Sequence, residues 1–156
     1  MLTFEKGMER SEIGYARQKI VYDEAGNPVD YIFLTVNPAF ERLTGLKKKE
    51  LLNRRITEVI PKIIEDDFDW IGTYGKIATK GGNCVFEQYS HPLDKWYRIE
   101  VFSCEKGYFT TLFTDITHER ELVTASKEFL EDGQACNTYE QMAQRMKRIT
   151  GQIMWC

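Results

Sequence analysis

The chain has 156 residues, of which 42% are apolar, 29% are charged and 13% are aromatic, and its net charge is −3. This composition is typical of a globular domain and excludes disordered and collagen-like chains. The negative net charge argues against a nucleic-acid-binding surface, which needs clustered basic residues, so we expect no nucleic-acid partner.

The cysteine and histidine positions argue against a structural metal site. The four cysteines are at 84, 104, 136 and 156, and the two histidines are at 91 and 118. A zinc site needs clustered ligands, so no metal is expected, and each cysteine is interpreted as a small buried or half-buried hydrophobe. No signal-peptide pattern opens the chain and no apolar run is long enough to span a membrane, so we expect a cytoplasmic location and no direct membrane contact.

The first third of the chain predicts two strands followed by a short helix. Residues 13–22 and 31–36 are strand-like and flank a turn at 23–28 that is rich in turn-forming residues. The alternation about Thr35 predicts that Ile32, Leu34 and Val36 face the core. Asn37-Pro38 is typical of a helix start, and Gly45 of a helix end.

The middle of the chain predicts a longer helix. Short helices are expected near 47–52 and 57–60, and a longer one over 65–79, with acidic residues at its start and Gly81-Gly82 after its end. Phe68, Ile71 and Ala78 form one apolar stripe of this helix, and Trp70, Tyr74 and Ile77 form a second. The acidic cluster at 65–69 is interpreted as favourable first-turn charge rather than as a cation site.

Three strands follow, over 84–89, 95–104 and 108–114, with short connections that favour antiparallel pairing. The order of elements predicts an α+β domain with helices on one face of an antiparallel sheet. Within 95–104, Trp96 and Phe102 alternate with Tyr97, Ile99 and Val101, so they should point away from the helices. Exposed aromatics on a sheet face favour a contact surface, and we expect a homodimer through this face and a flanking helix. The alternative is that residues 1–11 or 118–130 of the same chain cover these aromatics.

After Asp115 the apolar period becomes helical, which predicts a helix over 118–130 that ends at Asp132-Gly133. A second helix is expected from Thr138, and residues 152–156 are similar to the first strand of a further domain that is cut off.

Two motifs resemble those of the PAS domain family. The segment Asn37-Pro38-Ala39-Phe40 with Thr44-Gly45 resembles the family's Asn-x-Ala-Phe…Thr-Gly motif, and Asp115-Ile116-Thr117 resembles its Asp-Ile-Thr motif. The resemblance covers about residues 10–120. It implies the PAS fold, a five-stranded antiparallel sheet with small helices on one face, a central cleft and a C-terminal signalling helix.

The resemblance implies a non-catalytic sensory or regulatory module of a multidomain signalling protein such as a histidine kinase or a diguanylate cyclase. Residues 1–117 would be the PAS domain (core about 10–117), 118–133 the signalling helix, and 134–156 the start of a downstream output domain. The alternative is a ligand-free PAS domain that serves only for dimerisation or protein interaction. An enzyme is disfavoured because no phosphate loop, nucleophile elbow or paired titratable groups are found.

Two cofactors common in PAS domains are not expected. Asn83-Cys84-Val85-Phe86 resembles the flavin motif of LOV domains, but the segment at that motif's position is Asn53-Arg54-Arg55-Ile56-Thr57, where Ile56 replaces the reactive cysteine. Haem-binding PAS domains usually supply an axial histidine from the long helix, and residues 65–79 contain none.

The candidate ligand is an unknown small molecule, because apolar and aromatic side chains with a few polar groups are typical of ligand sites. The candidate pocket residues are Leu34, Phe40, Trp70, Tyr74, Ile77, Phe86, Tyr97, Ile99 and Phe113. Asp115, Ile116 and Thr117 are the candidate signal-transfer residues, and Trp96 and Phe102 are the candidate dimer-face residues.

Overall fold

The computed structural model of the chain describes residues 2–135. The helix expected from Thr138 and the apolar segment at 152–156 lie outside the described residues. The elements, in chain order, are α1 (Leu2–Met8), β1 (Gly14–Tyr22), β2 (Pro28–Val36), α2 (Pro38–Thr44), α3 (Lys48–Leu51), α4 (Ile56–Val59), a 3₁₀ turn (Pro61–Glu65), α5 (Trp70–Lys80), β3 (Gly82–Ser90), β4 (Lys95–Ser103), β5 (Tyr108–Asp115) and α6 (Thr117–Ala135).

The five strands form one antiparallel sheet in the order β2-β1-β5-β4-β3. One face packs against α5 and the short helices, and this face carries the core; the opposite face is called the outer face below. Tyr97, Ile99 and Val101 of β4 are fully buried, whereas Arg98 and Glu100 are exposed. This period-two alternation confirms the predicted sheet with helices on one face.

Helix α2 begins and ends where the sequence predicts. The Asn37 side-chain oxygen accepts hydrogen bonds from the backbone N–H groups of Phe40, at 2.9 Å, and Tyr15, at 2.8 Å. Gly45 ends the helix with φ of 77°, which favours glycine. Asn37 therefore starts the helix and also joins it to β1.

The predicted inward face of β2 is wrong at Ile32 and Leu34. Tyr31 and Phe33 are the buried residues, whereas Ile32 and Leu34 are only half-buried. The pairing changes register between Arg17 opposite Thr35 and Gln18 opposite Phe33, so Leu34 is an extra residue in a β-bulge. A bulge reverses the alternation on one side of it, and simple period-two counting cannot anticipate that.

Three further expectations are corrected. The long helix begins at Trp70 with Asp69 as its N-cap, because the 3₁₀ turn and a non-helical segment occupy 61–69. Helix α6 continues through Gly133, since one glycine costs a helix only about 1 kcal/mol. Cys84 and Cys104 are exposed rather than buried, because β3 is an edge strand and Cys104 lies in the turn after β4.

The chain divides into two compact units, the first of which, Met1–Ile116, contains the whole sheet, while α6 belongs to the second. Within the part of the chain that the structure describes, no helix is long and apolar enough to cross a membrane.

Candidate functional site

A cavity of about 40 Å³ lies between the sheet and the helices of the first unit. One water molecule needs about 10–15 Å³ of such volume, so the cavity has room for about three waters. All five strands contribute to its wall, together with α2, α4, the 3₁₀ turn, α5 and the connections that follow α2, α4 and β3. The lining residues are Gln18, Tyr31, Phe33, Phe40, Thr44, Leu46, Ile56, Ile60, Ile63, Trp70, Tyr74, Ser90, Pro92, Leu93, Tyr97 and Phe113.

The burial of these residues distinguishes a deep end from a mouth. Phe40, Ile56 and Tyr97 are almost completely buried and form part of the deep end. Leu46, Ile60, Pro92 and Leu93 are half-buried, and we call these four residues the mouth. They lie on three separate connections of the chain, after α2, after α4 and after β3.

Five of the nine predicted pocket residues line the cavity, namely Phe40, Trp70, Tyr74, Tyr97 and Phe113. Leu34 does not, because the bulge turns it away from the core. Ile99 is fully buried in the core beside the cavity. Ile77 packs against the core, and Phe86 packs against the rings of Phe68 and Trp70. Sequence reasoning missed the lining residues of β1 and β2, of the end of β3 and the β3–β4 loop, and of the segment 44–63.

The Tyr74 hydroxyl is the single buried side-chain polar atom without a hydrogen-bond partner among the residues described. Burial, and secondarily the neighbouring Tyr31, raises the pKa of Tyr74 well above its usual value near 10. Burial also raises the pKa of Tyr31, with a smaller contribution from Asp30. Both phenols therefore keep their protons at every ordinary pH.

Two other buried polar groups of the wall have partners within the protein. The Gln18 amide, oriented so that its oxygen accepts from the Thr111 hydroxyl at 2.8 Å, donates to the carbonyl of Ala16 at 3.0 Å. The Tyr97 hydroxyl donates to the Leu43 carbonyl at 2.9 Å. Burial raises the pKa of Tyr97, and the nearby Asp115 adds to the shift, so this phenol also stays protonated.

A buried carboxylate lies beside the mouth, and sequence reasoning assigned it no such role. The Asp66 side chain is fully buried and accepts hydrogen bonds from the Trp70 indole N–H at 2.7 Å and from His91 Nδ1 at 2.8 Å. Trp70 lines the cavity, and His91 directly precedes Pro92 of the mouth. The only sequence signal was the acidic run at 65–69, which did not indicate a partner 25 residues away.

The end of β5 is joined to the cavity wall through one carbonyl group. The Lys95 ammonium donates to the Leu43 carbonyl at 3.0 Å and pairs with the Asp115 carboxylate at 3.2 Å. The Tyr97 hydroxyl of the cavity wall donates to the same carbonyl. Ile116 is buried, and its backbone N–H donates to the Trp96 carbonyl. Thr117 is the first residue of α6.

The outer face carries the predicted dimer residues and a groove. Trp96 and Phe102 are half-buried there, and Trp96 packs against Tyr89. The groove, of about 550 Å³, is lined by Phe4, Tyr15, Arg17, Phe102, Cys104, Glu105, Tyr108, Phe109 and Thr110. No cluster of three or more histidine, cysteine or acidic residues suited to a metal occurs between residues 2 and 135.

Comparison with solved structures shows which fold this is. An RNA-binding Light-Oxygen-Voltage receptor is similar over 81% of this chain, with 15% identity and a TM-score of 0.53. A domain of a sensory box sensor histidine kinase/response regulator from Geobacter sulfurreducens is similar over 73% of this chain and 92% of its own, with 14% identity and a TM-score of 0.52. A PAS domain of an HTR-like protein from Haloarcula marismortui covers 74% of this chain and 96% of its own, with 16% identity and a TM-score of 0.42.

The chain has the PAS fold. Its strand order and the first two structural similarities agree on this, and the predicted resemblance is confirmed at the level of fold. The chain spans only 37% of the Light-Oxygen-Voltage receptor. No family model and no curated protein sequence matches the chain.

Within this PAS fold, Ile56 and Cys84, the two residues compared with the reactive cysteine of LOV domains, differ in burial. Ile56 is buried and lines the cavity, whereas Cys84 is exposed on the edge strand and is not among the lining residues. The absence of a flavin or haem cofactor stays a prediction.

Proposed function

We propose that the chain is the sensory PAS domain of a multidomain signalling protein, in which a small molecule in the central cavity changes the end of β5 and thereby α6. The similarity in fold to a domain of a sensor histidine kinase/response regulator supports this class of function. The domain itself is proposed to be non-catalytic, with the output in another part of the protein.

The shared Leu43 carbonyl is the observation that carries this proposal. A molecule that displaces Tyr97 from the cavity wall changes the number of donors on that carbonyl, and Lys95 is the other donor. Lys95 also holds Asp115, the last residue of β5. Phe113, two residues earlier on the same strand, is itself part of the cavity wall. A ligand in the cavity can thus affect Asp115 in two ways. One is through the Leu43 carbonyl and Lys95, and the other is through Phe113 along β5.

The mechanism we propose is a population shift between two arrangements of this network. A ligand can shift an equilibrium only by its difference in affinity for the two arrangements. Here the difference in ligand affinity would arise from contacts with Tyr97 and Phe113, which line the cavity. The position of Asp115 would change with the arrangement that the ligand favours. Asp115, Ile116 and Thr117 are therefore proposed as the signal-transfer residues.

Native mass spectrometry of the purified chain tests the sensing step. We expect a retained small molecule that dissociates on collisional activation and whose loss accompanies a change in the hydrogen exchange of residues 113–120. A chain that carries no molecule, and whose exchange in that segment is the same after addition of cell metabolite extract, would contradict the proposal.

Asp115→Ala tests the transfer step, with Glu87→Ala as the matched control. Glu87 forms an ion pair with Arg98 at 2.8 Å on the outer face, remote from the Leu43 carbonyl. We expect Asp115→Ala to keep the ligand but to lose the exchange response in residues 113–120, and Glu87→Ala to keep both. If Asp115→Ala responds like the control, Asp115 only terminates the strand.

The second candidate is a dimerisation domain that binds a second copy of this chain through the outer face. The half-buried Trp96 and Phe102, beside the aromatic groove, favour it. Light scattering should give a dimer that Trp96→Glu dissociates and that Val29→Glu, an exposed position on the opposite edge strand, leaves intact. A monomer at high concentration would reject the dimer, and a Trp96→Glu dimer would reject this surface.

A further inference from the structure

We infer that the edge strand β3 is a docking site for β3 of a second copy of this chain, with the two strands antiparallel about a two-fold axis at Val85. This inference goes beyond the proposed sensory function, which requires no second copy. It also concerns a different surface from the outer face, because the contact is made by the edge of the sheet.

Strand β3 leaves one edge of the sheet without a strand partner in the described part of the chain. It is the last strand in the order β2-β1-β5-β4-β3 and pairs with β4 from Gly82 to Ser90. Alternate residues of such a strand direct their backbone N–H and C=O groups away from the neighbouring strand. A row of backbone donors and acceptors is therefore open to another strand.

Strand β3 lacks the features by which proteins usually protect an edge of this kind. Protected edge strands are short or bulged, or they carry lysine or proline. Here the pairing with β4 runs over nine residues without a register shift, and the strand contains neither lysine nor proline. Its single charged side chain, Glu87, is paired with Arg98 at 2.8 Å. The strand itself therefore does not prevent another strand from pairing with it.

The opposite edge of the sheet, formed by β2, shows the protection that β3 lacks. Strand β2 begins with Pro28 and contains the bulge at Leu34. Residues 52–55 also lie along this strand and form isolated bridges with Ile32 and Phe33. The chain thus covers one edge of its sheet with its own residues, and β3 is the edge that is open to a partner.

The first half of β3 is the part with most surface to offer. Residues 82–85 are exposed although their side chains alternate between the two faces of the sheet, whereas residues 86–90 are half-buried or buried. Val85 is 59% exposed, which is unusual for a large apolar side chain in the middle of a strand. A second strand along this edge would cover Val85 as well as the open backbone groups.

The side chains of β3 suit pairing with a second copy in one register. In an antiparallel pair, directly opposite residues share a face of the sheet, and like charges at opposite positions are unfavourable. A two-fold axis at Val85 places Val85 opposite Val85 of the second copy and Glu87 opposite Asn83. An axis at Glu87 would place two carboxylates opposite each other, and an axis at Phe86 would place Val85 opposite Glu87. Only the axis at Val85 joins the exposed apolar groups and keeps the carboxylates apart.

Sedimentation velocity of the full chain over a concentration series tests the dimer. Pairing of residues 82–88 forms a small interface, so we expect a Kd of about 10 µM to 1 mM. Val85→Lys places two ammonium groups opposite each other and should raise the Kd at least about tenfold. Val29→Lys, at a 45% exposed valine of the other edge strand, is the matched control and should leave the Kd unchanged. Trp96→Glu, on the outer face, should also leave it unchanged.

Cysteine cross-linking tests the position of the axis. In a chain whose four cysteines are replaced by serine, Val85→Cys should form a covalent dimer on mild oxidation. Directly opposite residues have Cα atoms about 4.5–5.5 Å apart, which is within the range of a disulfide. Asn83→Cys, on the same face, is the matched control and should not cross-link, because its two copies would lie four residues apart along the strands, about 13 Å.

Hydrogen exchange of the unmodified chain tests the same edge without any substitution. Backbone amides within residues 83–89 should exchange more slowly at high than at low protein concentration, because pairing with a second strand protects them. Residues 28–36 of β2 are the internal control and should exchange at the same rate at both concentrations.

The outcomes separate this inference from the proposed functions. A chain that is monomeric throughout the concentration series overturns this inference and the outer-face dimer, and leaves the sensory proposal standing. A dimer that Trp96→Glu dissociates and Val85→Lys does not also overturns the inference, because it assigns the contact to the outer face. Cross-linking of Val85→Cys no faster than that of Asn83→Cys overturns the axis at Val85.

Discussion

Replacing Asp66 tests whether a buried carboxylate holds the β3–β4 loop against α5. Its side chain is fully buried, and its two oxygens accept hydrogen bonds from the indole of Trp70 and the ring of His91. Asp66→Ala removes both acceptors and leaves the buried indole N–H without a partner. Asp67→Asn is the matched control, because Asp67 is 90% exposed and its carboxylate is 3.9 Å from His91.

The expected cost of Asp66→Ala at pH 7 is about 2–4 kcal/mol of unfolding free energy. A hydrogen bond to an ionised acceptor contributes about 1.5–3 kcal/mol, and the Trp70 bond is of this buried kind. The His91 side chain is 57% exposed, so water screens its interaction with Asp66, which we discount to about 0.5 kcal/mol. Asp66→Asn keeps one acceptor without the charge and should cost about half as much.

The loss should depend on pH in a defined direction. Burial raises the pKa of Asp66, but hydrogen bonds from Trp70 and His91 and the charge of His91 lower it by more, so it lies below its usual value near 3.8. A carboxylate whose pKa is lower in the folded than in the unfolded state stabilises the fold above the unfolded pKa of about 3.9. This stabilisation is lost as the pH falls through the folded pKa. The difference in unfolding free energy between the unmodified chain and Asp66→Ala should therefore shrink as the pH falls below about 4.

Urea unfolding followed by circular dichroism, from pH 7 to pH 3, measures both quantities. The same series in a His91→Gln background shows how much of the effect requires the His91 ring. Two results would refute the reasoning: a cost below about 0.5 kcal/mol for Asp66→Ala at pH 7, or a difference that stays constant down to pH 3. Asp67→Asn should leave the unfolding free energy nearly unchanged throughout.

Two further predictions concern hydrogen bonds that join the short helices to the sheet. Asn37→Ala should cost about 2–4 kcal/mol in denaturant unfolding, because it removes the acceptor of the buried Tyr15 and Phe40 N–H groups; a cost below 1 kcal/mol would show that water replaces it. Thr57→Val should cost about 1–2 kcal/mol by the same measurement, because the Thr57 hydroxyl donates to the carboxylate of buried Asp30, and an unchanged midpoint would contradict this.

The sheet and the helix caps could be predicted because their signals are local. Asn37 and Gly45 mark the ends of α2 by their own backbone and side-chain preferences, and the structure confirms both. The alternation from Trp96 to Phe102 also holds, because β4 is a central strand without a bulge. These features depend on neighbours a few residues away, and those neighbours are visible in the sequence.

The site was only partly predictable because its remaining features depend on distant residues. The bulge at Leu34 is fixed by how β2 pairs with β1, so the inward face of β2 was misassigned. His91 reaches Asp66 across 25 residues, and neither residue has a local pattern that indicates the other. The unpaired Tyr74 hydroxyl is likewise defined by what surrounds it in three dimensions, while the helical spacing of Tyr74 predicts only that it is buried.

Gly75 gives a last prediction in which local preference and packing oppose each other. In the middle of a helix, Gly→Ala is ordinarily favourable by about 1 kcal/mol. Here a Cβ on Gly75 would lie 2.4 Å from the Cβ and Cγ atoms of Pro28, at the start of β2, so α5 must move away from the sheet. Overpacking of this kind costs about 1–3 kcal/mol, and we therefore expect Gly75→Ala to lower the unfolding free energy. In a Pro28→Gly background, which removes both of those atoms, the same substitution should become neutral or stabilising. If Gly75→Ala stabilises the unmodified chain by about 1 kcal/mol, α5 does not depend on this close approach, and the position of the neighbouring Tyr74 is set by its own ring contacts instead.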